Sequence, residues 1–509
     1  FGLMAVLSWE ISIVSLLLPI MLVAIANDYG IHLINLYQEK CRTETTTNTR
    51  HLAVMVYREL RKPILITGLT TIGGMLGLLS HKMAPAAQLG VLASIGIGLA
   101  LVMSLFLIPV LLSFYKKPVQ KPRPIDRPPF TEKILSLFGQ WANFHPKIVV
   151  ASFSFVTLLS ISGIFFLKVD TNVEGYFPRK SEIRKGIDLT NQKFGGSQYV
   201  SLLFRGDVLS PAALTRMEKH TQEIRKLPNS GHVLSPVTFL KELSKGIYTP
   251  EEPEYGTLPR SKEEAVQYLE MASFTGFGDQ IAQFIDINNT NARILVSMKD
   301  GSNQTGKTIL SGLRNITKDD PQLDFIAGPG LSKIQIANMV IQGQISSLIL
   351  AFLIILFLLS LIFKSMAAGV KGSLPLLVAT IFMFGIMGVS NISLDIVTAL
   401  LSSIMIGVGI DYTIHFLWRY KAEYASRRDP KSSISATLAS AGRGIIFNAI
   451  SVMAGFSVLV LSGFAPLRFF GILVVVSIFS CLISALLLVP SIITLTRPKF
   501  LEPKKTPDK

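Results

Sequence analysis

The sequence predicts a polytopic α-helical membrane protein built on a parallel internal repeat, with a mixed α/β domain outside the cytoplasm. Three observations carry that expectation. Hydrophobic residues make up 49% of the 509 residues and charged residues only 16%, and the apolar residues gather into runs of the roughly 20 that a helix needs to cross a bilayer. Lys and Arg crowd into alternate loops between those runs. The opening of the chain also lies, almost without a gap, over a stretch near its end.

The apolar runs fall at 11–37, 64–82, 89–114, 147–168, 346–364, 373–391, 394–420, 444–462 and 469–494. The first is longer than a bilayer requires and should project beyond it. Arg42, Arg50, Arg58, Arg61 and Lys62 follow the first run, and Lys116, Lys117, Lys121, Arg123, Arg127 and Lys133 follow the third. Lys364 and Lys371 flank a later connection, and Arg419, Lys421, Arg427, Arg428, Lys431 and Arg443 fill another. The intervening short loops hold little beyond Lys82 and Arg468. Such alternation places the basic loops in the cytoplasm. It also accounts for the net charge of +16 without a polyanionic partner, so no nucleic-acid binding is expected.

With that orientation 147–168 runs outward and 346–364 returns, leaving 169–345 outside the cytoplasm. Strand-like runs at 199–204, 293–298 and 323–327 interleave there with helical runs at 211–227, 262–272 and 308–316. That order suits small βαβ units, a sheet with helices on one face. The only cysteines are Cys41 and Cys481, neither of them in this segment, so no disulfide is expected. A eukaryotic lumenal domain of this size is usually disulfide-stapled, and the lack of cysteine favours a bacterial inner-membrane protein. The remaining organisation follows: 1–114 as the later part of a first membrane repeat, 115–146 as a cytoplasmic basic Pro-rich linker, 147–168 and 346–494 as the helices of a second repeat, and 495–509 as a basic cytoplasmic tail. Between Pro118 and Pro129 the linker should be extended rather than folded.

The repeat is visible by eye. A shift of 383 residues lays FGLMAVLSWEISIVSLLLPIMLVAIANDYGIH over FGIMGVSNISLDIVTALLSSIMIGVGIDYTIH, pairing Asp28 with Asp411, Tyr29 with Tyr412 and His32 with His415. Past the next basic loop the shift becomes 381, pairing Gly74 with Gly455, Pro85 with Pro466, Gly90 with Gly471 and Pro109 with Pro490. Both copies cross the membrane in the same sense, as parallel repeats do. The second copy carries a helix, a soluble domain and two further helices ahead of its Asp-Tyr helix. A first copy of the same plan would be longer at its start, so the chain reads as part of a longer protein, with Phe1–Trp9 the tail of a third helix.

Asp28 and Asp411 are the candidate proton-coupling residues. An ionised carboxylate inside a bilayer costs several kcal/mol, so such residues are rare, face a bundle interior and mark ion or proton pathways. Desolvation disfavours the charged form of a carboxylate, which suits a group that binds and releases protons near neutrality. The alternative is that each helix ends early and leaves its Asp among the headgroups; two aspartates at equivalent positions, each followed by Tyr, argue against it. Tyr29 and Tyr412 either hydrogen-bond a carboxylate on the facing helix or fill space. His32 and His415, four residues on and on the same helical face, are either a proton relay or plain interfacial histidines. Thr67, Thr70, Thr71, Asn448 and Ser451 on neighbouring helices either support the carboxylates or back-bond to their own helices. Gly407 and Gly409, matched by Ala24 and Ala26, allow helices to approach closely.

One motif misleads. Residues 301–308, GSNQTGKT, satisfy the phosphate-loop pattern after a strand and before a helix. They lie outside the cytoplasm, where ATP is scarce, and no magnesium-binding Asp follows. A strand–turn–helix connection is the plainer reading. Scattered histidines and the lack of a cysteine pair offer no metal site, so no enzyme, cofactor or metal is expected, protons being the coupling ion.

The helices AIANDYGIHL and GVGIDYTIHF resemble the Asp-Tyr helices of the resistance-nodulation-division superfamily, specifically its MMPL-like branch. DTNVEGYFP, FGG and ARILVSMKDG resemble that branch's periplasmic porter domain, and the likeness covers nearly the whole chain. It implies a ferredoxin-like βαβ porter domain and a proton antiporter whose aspartates carry protons inward while a hydrophobic or lipid-like substrate leaves. It leaves a homo-oligomer or a periplasmic adaptor open as partners. The first copy departs from the pattern with Ala for Gly and Asn27 before its Asp, which leaves open whether both halves couple equally. Two alternatives share the helices: a translocation helper of the SecD/SecF kind, and a sterol-sensing membrane protein of Patched type, whose lumenal domains would be Cys-rich.

Overall fold

A computed structural model describes residues 1–43, 48–115, 130–274 and 278–501. In chain order its helices and strands are α1 Gly2–Val6, α2 Leu18–Thr43, α3 Thr49–Leu76, α4 Ala84–Phe114, α5 Phe130–Phe144, α6 Pro146–Ile164, α7 Glu182–Lys193, β1 Gln198–Arg205, α8 Pro211–Arg225, β2 Ser230–Leu234, α9 Pro236–Ile247, α10 Lys262–Phe274, α11 Gly278–Ile281, β3 Asn291–Met298, α12 Asn303–Ile316, β4 Leu323–Ala327, α13 Pro329–Phe363, α14 Met366–Val389, α15 Leu401–Arg427, α16 Pro430–Thr437, α17 Arg443–Ser457, α18 Ala465–Ile483 and α19 Val489–Thr496. Two compact units result, one of 1–169 with 339–509 and one of 170–338.

Among the described residues of the first unit, nine helical stretches are long and apolar enough to cross a membrane. Leu99, Phe106, Phe155, Phe357 and Leu361 are exposed on them, as side chains that face lipid tails should be. The repeat is built by exchange between its halves. Helix α3 of the first copy packs on α15 of the second, and α17 of the second packs on α2 of the first. Equivalent caps start the equivalent helices: the Asn48 side chain accepts from the backbone N–H groups of Arg50 and His51 at the head of α3, and Asp429 accepts from Ser432 at the head of α16. Such side chains satisfy donors that a helix start leaves unpaired. The second copy differs by a π-helical turn at Leu438–Gly442 that joins α16 to α17.

The second unit carries a four-stranded antiparallel sheet of order β2-β3-β1-β4. Its two central strands, β1 and β3, alternate sharply. In β3, Ala292, Ile294, Val296 and Met298 are buried while the residues between them are half-exposed, so one face meets the core under α8 and α12. Ser181, Ser210, Ser235 and Ser302 each cap a helix of this unit through the side-chain oxygen.

Several boundaries differ from the sequence expectation. Residues 130–144 form a helix, α5, where a linker was expected, because Leu135, Gly139 and Ala142 repeat at helical spacing and are buried. Lys116, Lys117, Lys121, Arg123 and Arg127, the extended stretch 118–129 and the tail beyond residue 501 lie outside the described residues. Arg50, Arg58, Arg61 and Lys62 sit on the first turns of α3 rather than in a loop. Helix α13 starts at Pro329 and continues unbroken to Phe363, so the soluble unit ends at Asn338, short of the expected 345. Strand β2 and helices α7 and α9 were not anticipated; β2 is short, and its SGHVL carries little β pattern of its own.

Candidate functional site

Asp28 on α2 and Asp411 on α15 meet inside the bundle. They are 3% and 1% exposed, and their carboxyl groups lie within hydrogen-bond reach of one another. Among the described residues no Lys or Arg pairs with either. The close approach rests on two crossings that the repeat relates. At one, a Cβ on Gly74 of α3 would lie 2.6 Å from the Cα of Gly407. At its counterpart, a Cβ on Gly455 of α17 would lie at an ordinary 3.4 Å from the Cβ of Ala24. The first crossing therefore demands glycine and the second tolerates a methyl group. Gly409, one turn away, is held against Cys481 and Leu376.

Tyr29 and Tyr412 are wholly buried and flank the pair. Among the described residues neither hydroxyl makes a hydrogen bond of good geometry, Thr71 lying near that of Tyr29, and a buried donor left unpaired is costly.

Thr71 is the direct support. Its Oγ1 lies 3.3 and 3.2 Å from the two carboxyl oxygens of Asp411 and donates to the Thr67 carbonyl at 2.8 Å. Thr67 and Thr70 instead bond back to carbonyls of their own helix, Ile64 and Thr67 respectively. Asn448 is buried with its Oδ1 unpaired, and Ser451 is half-buried on α17.

His32 and His415 stack face to face, ring centres 3.8 Å apart and planes within 16°. His32 Nε2 lies 3.3 Å from Asp28 Oδ1. Both imidazoles line a cavity of about 500 Å³ whose walls also include Glu39, Glu59, Arg419 and Glu423. At its mouth Arg419 pairs with Glu59 at 3.2 Å and Glu423 at 3.0 Å, and reaches Glu39 at 3.9 Å.

A family model described as the MMPL family matches residues 2–152 and 262–509. The chain belongs to the MMPL family. It is 21% identical over 380 residues to the membrane protein MJ1562 of Methanocaldococcus jannaschii, covering 71% of this chain and 94% of that protein. It is 24% identical over 144 residues to the probable transport protein MmpL11 of Mycobacterium leprae, which covers 27% of this chain and 14% of that one. Among solved structures it shares the fold of SecDF, a translocon-associated membrane protein from Thermus thermophilus, at 13% identity and a TM-score of 0.57 over 97% of this chain. The chain spans about half of that SecDF chain, 56% of its length. The chain is thus a membrane protein of the MMPL family with, among its described residues, nine stretches long and apolar enough to cross a membrane.

In this MMPL protein the phosphate-loop pattern is a capped turn. Ser302 caps α12 by accepting from Thr305 N–H, and Asp300 accepts from Ser302 N–H and Thr305 Oγ1. The Glu174 carboxylate stands where a Cβ on Gly301 would be. Burial works to raise the Asp300 carboxyl, but the bonds from Ser302 and Thr305 and the Lys333 ammonium outweigh it and hold it below its ordinary range. Two carboxylates at the turn would repel a phosphate. The cavity, the histidine stack and the inequality of the two glycine crossings were not read from sequence, because each depends on residues far apart in the chain.

Proposed function

We propose that this protein is the proton-coupled membrane core of an exporter in the cytoplasmic membrane, moving hydrophobic or lipid-like molecules outward as protons move inward through Asp28 and Asp411. One observation carries the reading: two buried carboxyl groups, one from each repeat, face each other with no Lys or Arg beside them. Two carboxyl groups sharing a site cannot both ionise without large cost, so the pair holds and exchanges a proton. The basic ends of α3 and α15 face the cytoplasm, and the cavity beneath the histidines is then the cytoplasmic outlet. The 170–338 unit lies outside the cytoplasm and selects the substrate.

The test replaces the chromosomal allele with Asp28→Asn or Asp411→Asn and compares surface and released lipids with those of wild-type and deletion strains. An amide keeps the size and loses the proton. Each variant should insert at normal abundance yet reproduce the lipid profile of the deletion. A wild-type profile from either variant would make that aspartate structural and end the proposal.

A further inference from the structure

Resting on the proton-coupling reading above, we infer that the two carboxylates divide the work: Asp28 exchanges its proton with the cavity through the stacked imidazoles of His32 and His415, while Thr71 holds Asp411 as the fixed partner.

The inequality begins at one repeat-related position. Thr71 corresponds to Val452 at the 381-residue shift. Asp411 therefore has a hydroxyl against both its oxygens, and the same place opposite Asp28 is a buried valine. The single Thr71 hydroxyl proton has the Thr67 carbonyl at 2.8 Å and the Asp411 carboxyl oxygens at 3.3 and 3.2 Å within reach, so it can donate to a charged Asp411 or, with Asp411 protonated, donate to Thr67 and accept from the carboxyl. Were Asp411 to ionise, Thr71 would have to leave Thr67 to donate to it. In either state Asp411 keeps its neighbour, whereas Asp28 Oδ1 has no hydrogen bond.

Asp28 has an imidazole instead. His32 Nε2 stands 3.3 Å from Asp28 Oδ1, while among the described residues no such pair joins His415 to Asp411. The other edge of the His32 ring faces Gly444, where a Cβ would lie 3.3 Å from Nδ1, and Gly444 lines the cavity. A side chain larger than hydrogen at 444 would crowd this edge. The counterpart of Gly444 in the first copy is Pro63, so the two repeats present different side chains at this position. The charged groups around the imidazoles are Asp28 beside His32, Asp411 one turn from His415 on α15 and, lining the cavity, Glu39, Glu59, Arg419, Glu423, Arg427 and Arg443.

An imidazole passes a proton by taking it on one nitrogen and releasing it from the other. Protonated Asp28 gives its proton to His32 Nε2 and becomes the carboxylate, and Nδ1–H gives its proton to water in the cavity. The His32 ring is thereby neutral before and after, and one proton leaves. His415, stacked at 3.8 Å, positions that ring and makes a second cation beside it unfavourable, which keeps the relay from trapping the proton.

The purified 509-residue chain in lipid nanodiscs tests this without knowledge of the substrate. Infrared spectroscopy reads the protonated-carboxyl stretch, assigned by its change in Asp28→Asn and Asp411→Asn, and a jump into D2O times how fast each carboxyl exchanges. His32→Gln should slow exchange at Asp28 by roughly a hundredfold, the scale of a lost positioned acid–base group, and leave Asp411 unchanged. His32→Phe, which keeps the ring stack, should slow it as much. Thr71→Val should shift the Asp411 band and not that of Asp28. Unchanged Asp28 exchange in both His32 variants would overturn the gate while the carboxylate pair stood. If neither Asn variant altered a carboxyl band, the pair itself, and the gate with it, would fall.

Discussion

Helices α2 and α15 carry the same Asp-Tyr-x-x-His pattern and live in different surroundings. In the most apolar stretch of α15 every residue is buried, whereas half of the corresponding stretch of α2 is. Helices α3, α14 and α18 enclose α15. Helix α15 meets α3 at Gly74, where a methyl group has no room, whereas α2 meets α17 at Gly455, where a methyl group lies at an ordinary distance from Ala24. The same motif thus sits against Thr71 and a glycine-tight crossing in one repeat and opposite Val452 and a looser crossing in the other. Duplication sets where the chemistry sits, and the neighbours set what each copy does.

The sharpest way to break that comparison is the paired glycine test. Gly74→Ala should destabilise the solubilised protein by about 1–3 kcal/mol, the usual cost of overpacking a tight contact, since its methyl would meet backbone that cannot yield. Gly455→Ala, the same change at the related crossing, should cost less than about 1 kcal/mol, because its methyl meets Ala24 at ordinary distance. Thermal unfolding of the two variants side by side decides; equal losses would mean the crossings are equivalent.

A smaller effect should come from the tyrosines. Tyr29→Phe and Tyr412→Phe remove hydroxyls that make no hydrogen bond of good geometry in this state, so stability should hold. Export should nonetheless fall, by roughly tenfold, the worth of one hydrogen bond of about 1.4 kcal/mol made only while a carboxylate is charged. Lipid release measured beside the melting temperature separates the two. Loss of stability with export unharmed would make the tyrosines packing residues.

The smallest change expected is at the cavity mouth. Arg419 ties α15 to Glu39 on α2 and Glu59 on α3, but its side chain is 27% exposed and such pairs contribute roughly 0.2–1 kcal/mol. Arg419→Gln should lower the melting temperature slightly in low salt and hardly at all in high salt, where screening already weakens the pair. A large loss independent of salt would show that Arg419 braces both copies through packing.

Much of the membrane architecture was legible in the residues. A bilayer has no water to satisfy backbone groups, so an apolar run of sufficient length can only be a helix, and alternating Lys and Arg supply a sense of direction. The duplicated Asp-Tyr pairs were legible for a related reason: a carboxylate amid such a run is too costly to be accidental. Local pattern also sufficed for β1 and β3, whose apolar residues alternate. It failed for β2 and for α5, where a short strand and a one-sided helix take their place from what they pack against.

What the sequence by itself determined was the presence and order of the long apolar helices, the repeat, and which residues are candidates to hold a proton. Only the tertiary structure decided that Thr71, rather than Thr67 or Thr70, touches a carboxylate, that the two histidines stack, and that Gly74 has no room for a methyl group while Gly455 does. The reason is physical. Hydropathy and charge act residue by residue along the chain, whereas the rotation of one helix against another is set by side-chain contacts between segments hundreds of residues apart, and neighbouring threonines on one helix are told apart only by that rotation.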